Sequence, residues 1–156
     1  MESVYLETTI ISYLSSRPSR DLLVAAHQQI TEEWWTSRRH LFECCVSQVV
    51  IDEISAGNPE IAKKRMEIIN NFGILDVSDE AELLTKRILD DGAIPPREVR
   101  DAAHIAVASV NNVDYLLTWN CKHLANAQII RRISVVCNRH GYNMPVICTP
   151  EELMGG

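Results

Sequence analysis

Apolar runs of strand length take turns with segments of helical period along all 156 residues of this sequence. The runs at 4–10, 41–47, 74–77, 114–119 and 146–148 are rich in Val, Ile, Leu and Tyr, or apolar throughout, and turn residues bound most of them. Between them, 19–38, 48–56, 59–71, 79–90, 98–110 and 127–139 have helical patterning. Regular alternation of this kind is the pattern of a parallel sheet with right-handed helical crossovers. The fold class expected is α/β, a three-layer α/β/α arrangement around a central, mostly parallel sheet. At 46% hydrophobic content, with six Gly and six Pro, the chain matches one domain over 1–156 able to bury its own core.

Local signals sharpen the boundaries. Ser19 reads as the cap of a helix whose stripe is Leu22, Leu23, Ala26, Ile30 and Trp34; Trp34 and Trp35 end it as core packing. Gly57 ends the helix that follows the second strand, and Asn58-Pro59 opens another. Asp79 and Glu82 have capping-box spacing, the stretch DGAIPP cannot continue a helix, and Thr149-Pro150-Glu151-Glu152 reads as a capped helix start. Thr118 and Trp119 read as strand packing.

A net charge of −6 argues against a protein that coats nucleic acid through a basic surface. It does not exclude a nuclease, because acids grouped around a dication have their local sign reversed. The five cysteines lack a C-x-x-C pair, so they form neither a zinc knuckle nor a disulfide framework, and most of them read as buried, inert thiols. Cys121-x-His123 alone falls short of a closed metal site. The start, MESVYLETTII, has glutamate where a signal peptide has a basic flank, and no run is long enough to span a membrane; a cytoplasmic protein is expected.

Four polar residues stand at or near the ends of apolar runs: Glu7 in VYLETTII, Glu53 in VVIDEI, Asp101 opening RDAAHIAVA, and Asn120 closing YLLTWN. In a parallel sheet the carboxyl ends of the strands share one edge, so acids delivered there converge on one crevice. Mg²⁺ and Mn²⁺ take oxygen ligands of this kind. Three carboxylates brought together without a cation would repel one another and drive a pKa up. Singly, each has an ordinary reading: a strand-end charge, a solvent-facing helix residue, an acid favoured by the helix dipole, and a cap. Thr8 can orient a carboxylate or water through its hydroxyl, or simply suit a strand. His104, one turn after Asp101, is either a donor or proton shuttle behind the acids or a satisfied buried histidine.

These blocks, YLETTIISYL, VIDEI, RDAAHIAVA and YLLTWNCKHL, resemble the PIN domain family, in particular the toxin ribonucleases of bacterial toxin–antitoxin pairs (VapC-like), over nearly the whole length. The resemblance implies that Glu7, Glu53, Asp101 and Asn120 are the catalytic and metal-holding positions. It also implies Mg²⁺ or Mn²⁺ as cofactor and hydrolysis of RNA to 5′-phosphate and 3′-hydroxyl ends. A small antitoxin lying across the groove and a homodimer are the implied partners, with surfaces expected on the helices within 10–35. The family's first acid is most often aspartate and its last position Asp or Asn; Glu7 and the neutral Asn120 imply weak activity or a preference for Mn²⁺. Two alternatives stand beside this reading: a catalytically silent PIN-fold binding module, and a DNA nuclease using the same site.

Overall fold

The computed structural model describes residues 1–155. Five strands, β1 (Ser3–Leu6), β2 (Glu43–Ser47), β3 (Gly73–Leu75), β4 (Tyr115–Leu117) and β5 (Val146–Cys148), form one parallel sheet in the order β3-β2-β1-β4-β5. The chain steps outward from β1 to β3, returns to place β4 on the other side of β1, and ends at β5. The order therefore reverses between β1 and β4, where an open parallel sheet has its crevice at the carboxyl edge. Around the sheet lie α1 (Thr8–Ser15), α2 (Leu22–Ser37), α3 (Gln48–Ile54), α4 (Pro59–Ile68), α5 (Asp79–Asp91), α6 (Val99–Val110) and α7 (Ala127–Arg139). Val4, Tyr5, Leu6, Leu116 and Leu117 have no exposure, as expected of central strands covered on both faces. In α6, the buried Ala102, Ala106 and Ala108 are small enough to let that helix lie close to its neighbours.

Several boundaries differ from the sequence expectation. The first strand ends at Leu6, because Glu7 caps α1 and burial of Ile10 and Ile11 outweighs the strand preference of the β-branched residues that follow. Asp21, not Ser19, caps α2 by accepting from Val24 N at 3.0 Å. The buried face of that helix runs through Thr31 and Trp34, so Leu22 and Leu23 point outward at 88% and 67% exposure. Ser78, not Asp79, accepts from Ala81 N to open α5, and Gly92 closes it at φ 85°, a left-handed geometry that suits glycine. Thr149 and Glu152 exchange the two bonds of a capping box, yet only a turn follows. Asn58-Pro59, α7 and β5 lie where expected.

All five cysteines are free. Burial pushes the Cys45 and Cys148 thiols up to about 12, which leaves them unreactive. Trp34 is buried against Phe42, while Trp35 is half-buried beneath Arg39, whose guanidinium sits 4.1 Å from its ring. Among the described residues no helix is long and apolar enough to cross a membrane.

Candidate metal centre at the carboxyl edge of the sheet

Glu7 leaves β1 beside β4, its N–H bonded to Leu117 O at 3.0 Å. Its carboxylate folds back over α1 as the cap. Oε1 accepts from Thr9 N at 3.2 Å, Thr9 Oγ1 at 2.6 Å and Thr118 Oγ1 at 2.6 Å, and the residue is only 4% exposed. Each threonine hydroxyl is itself held: Thr9 Oγ1 accepts from Trp119 N and Thr118 Oγ1 from Asn120 N, both at 2.9 Å. Thr118 is thus a ligand of the carboxylate, not mere strand packing.

Glu53 lies on α3, the helix that Ser47 caps at the tip of β2. Its Oε1 accepts from Thr8 Oγ1 at 2.9 Å and lies 2.7 Å from His104 Nε2. Thr8 therefore orients a carboxylate, but Glu53's rather than that of its neighbour Glu7. Burial pushes the Glu53 carboxyl up; the His104 hydrogen bond and charge, the Thr8 hydrogen bond and Arg100 outweigh it and hold the group below the usual carboxylate range. Glu53 is ionised at neutral pH.

Asp101 stands in the first turn of α6 with Oδ2 3.1 Å from His123 Nδ1. Burial raises its pKa, the charges of His104 and His123 and the His123 hydrogen bond offset this only in part, and Glu98 adds to the rise. Asn120 Oδ1 accepts from Lys122 N at 3.2 Å and His123 N at 3.0 Å. Both lone pairs are so used, and the turn they cap delivers His123 to Asp101.

These contacts close into a ring. Glu7 bonds Thr118, Thr118 bonds Asn120, Asn120 holds the turn of His123, His123 meets Asp101, and His104, one turn along α6, meets Glu53, which also accepts from Thr8, the residue after Glu7. On each of the three carboxylates one oxygen takes all these bonds; among the described residues Glu7 Oε2, Glu53 Oε2 and Asp101 Oδ1 accept none. Around the ring, the one trio whose metal-binding atoms all lie within 4.8 Å of one another, among the described residues, is Glu98, Asp101 and His123. Glu7, Glu53 and Asp101 do not form such a trio. The sequence reading missed Glu98 and set His123 aside; the signals were the spacings Glu98-x-x-Asp101 and Asn120-x-x-His123, which put each pair on one turn. A cavity of about 650 Å³ lies at the opposite edge, lined by Ser3, Glu43 and Gly73 at the amino ends of their strands, and none of the ring residues lines it.

Solved structures share this architecture. VapBC2 from Rickettsia felis bound to a DNA fragment from their promoter is similar with a TM-score of 0.61 at 16% identity, over 94% of this chain and 97% of that one. VapBC-1 from nontypeable Haemophilus influenzae gives 0.59 at 15%, over 95% and 98%, and DNA-bound VapBC from Salmonella typhimurium 0.52 at 17%, over 96% and 99%. This is a PIN-like fold. At such identities the agreement is one of fold, and it extends along almost the whole chain. No protein-family model and no curated protein matches the sequence.

Proposed function

We propose that this chain is a divalent-cation-dependent endoribonuclease, the toxin of a toxin–antitoxin pair. The observation that carries the reading is the ring at the crevice of a PIN-like fold, in which three carboxylates each keep one oxygen tied and the other free. A hard cation fits that donor set, and it would relieve the burial that raises Asp101. Asp101, with Glu98 and His123 beside it, is the first holding point; Glu7 and Glu53 offer their free oxygens to a second ion or to the attacking water. Asn120 acts by shaping the turn. When bound, the cation supplies Lewis acidity, activating water and offsetting the negative charge that develops on the phosphate. An imidazole among the ligands favours Mn²⁺ over Mg²⁺, which keeps to oxygen.

The test is cleavage of single-stranded and structured RNA with Mn²⁺ or Mg²⁺. Activity is expected to stop with EDTA and in Asp101→Asn; cleavage that persists in either case sinks the proposal, and competition with DNA decides the substrate. The likeness to VapBC structures supports a small antitoxin as partner, tested by co-purification with the product of an adjacent short reading frame. One observation favours a silent binding module instead: Glu7 is almost wholly buried and serves as a helix cap. Calorimetry separates the two, since a silent module takes up no Mn²⁺ at millimolar concentration.

A further inference from the structure

Tyr5 is an unexpected occupant of a sheet interior. It lies in β1 between Val4 and Leu6, all three without exposure. A phenylalanine there would fill nearly the same space without bringing in a hydroxyl that must find partners. The Tyr5 hydroxyl finds two: Ser47 Oγ at 2.6 Å and His104 Nδ1 at 2.6 Å. His104, fully buried, sets its other nitrogen 2.7 Å from Glu53 Oε1.

Valence assigns the protons along this chain of groups. Ser47 Oγ accepts from Val49 N at 3.1 Å, so its own proton is free for the Tyr5 oxygen. The Tyr5 proton then goes to Nδ1 as acceptor, which puts the ring N–H on Nε2, facing the carboxylate. Every hydrogen has an acceptor in this direction. Burial pushes the Tyr5 phenol well above its usual value, in keeping with a hydroxyl that retains its proton.

The three residues also stand near the three acids along the chain. Tyr5 is two residues before Glu7, Ser47 caps the helix of Glu53, and His104 follows Asp101 by one turn. We infer that Ser47, Tyr5 and His104 are positioning residues of the carboxylate ring: they fix the imidazole with its N–H on Nε2, so that it holds Glu53 Oε1 and leaves Oε2 for cation or water, and they keep the chain segments around the three acids in register. The consequence for activity rests on the nuclease proposed above; the proton arrangement does not.

Nitrogen NMR of the His104 ring in the metal-free full chain is therefore the primary test. The wild type is expected to show the Nε2–H tautomer with Nδ1 as acceptor, and Tyr5→Phe a mixture of tautomers. In parallel, Tyr5→Phe should weaken Mn²⁺ binding or kcat by about 10- to 100-fold, the loss typical of groups that orient ligands. KM for RNA should stay within about threefold and the melting temperature within about 4 °C. His104→Gln, whose amide can still donate to Glu53, should retain more activity than His104→Leu. An Nδ1–H tautomer in the wild type overturns the inference, as does a Tyr5→Phe protein with unchanged Mn²⁺ affinity and kcat. If the wild type neither binds Mn²⁺ nor cleaves RNA, the nuclease proposal fails, and the tautomer measurement still decides the positioning chain.

Discussion

A buried or half-buried carboxylate persists only if something answers its charge, and the three around this ring, Glu7 buried and Glu53 and Asp101 half-buried, are answered differently. Glu7 has three donors on one oxygen, Glu53 a histidine and a threonine, and Asp101 a single histidine contact. Thr118→Val keeps the shape but removes one charge-assisted bond from a nearly buried acceptor, and should cost about 2 kcal/mol in urea unfolding. Asp101 and Glu53 have opposite pH signatures. Asp101, raised by burial, favours the folded state while protonated and loses that contribution as pH rises from the ordinary carboxylate range through its higher folded value. Glu53, held low, contributes above the ordinary value and loses the contribution as pH falls through its folded one. In metal-free protein at pH 7, Asp101→Asn should therefore raise the melting temperature, with the gain vanishing as pH falls to the ordinary carboxylate range. Thermal scans across pH check both the sign and the window. At this scale the candidate acids were legible, because position at the end of an apolar run is a sequence property. Their partners were not: which threonine meets which glutamate depends on rotamers and on β1 and β4 lying side by side, and Thr8 turning to Glu53 rather than Glu7 has no trace in the spacing.

Elements begin and end here through single side chains. The switch from β1 to α1 at Glu7 was hidden, since LETTII reads as one β-branched run until the cap and the burial of Ile10 and Ile11 are known. Ser78 was likewise masked by Asp79, which stands one residue later with a glutamate at capping-box spacing. Ser78→Ala should cost about 1 kcal/mol of stability, measured by chemical denaturation, while a Ser19→Ala change, at the residue whose hydroxyl accepts only from Asp21 N, should cost less than about 0.5 kcal/mol. By contrast Asn58-Pro59 and α7 were legible at the ends that matter, because proline at the first helical position and a long amphipathic segment leave few alternatives.

At the scale of the whole molecule, alternation alone carried the architecture: a chain with this pattern has few ways to cover both faces of a parallel sheet, and the strand order then puts one crevice beside β1. The outward Leu22 and Leu23 fall within the helices where a partner surface was expected, although the stripe that predicted them inside was misphased. A chain of net charge −6 that gathers acids around one rim should gain stability from the ion that neutralises them. Saturating Mn²⁺ at about 100 times its Kd should add about 2.7 kcal/mol, readable as a concentration-dependent rise in melting temperature. The most direct test of the carboxylate ring as a cation site is calorimetric titration of Mn²⁺ into the wild type and Asp101→Asn at neutral pH. Saturable uptake by the wild type, with affinity lost in the variant, is the result predicted; a flat titration in the wild type at millimolar Mn²⁺, or equal binding by both proteins, would contradict it.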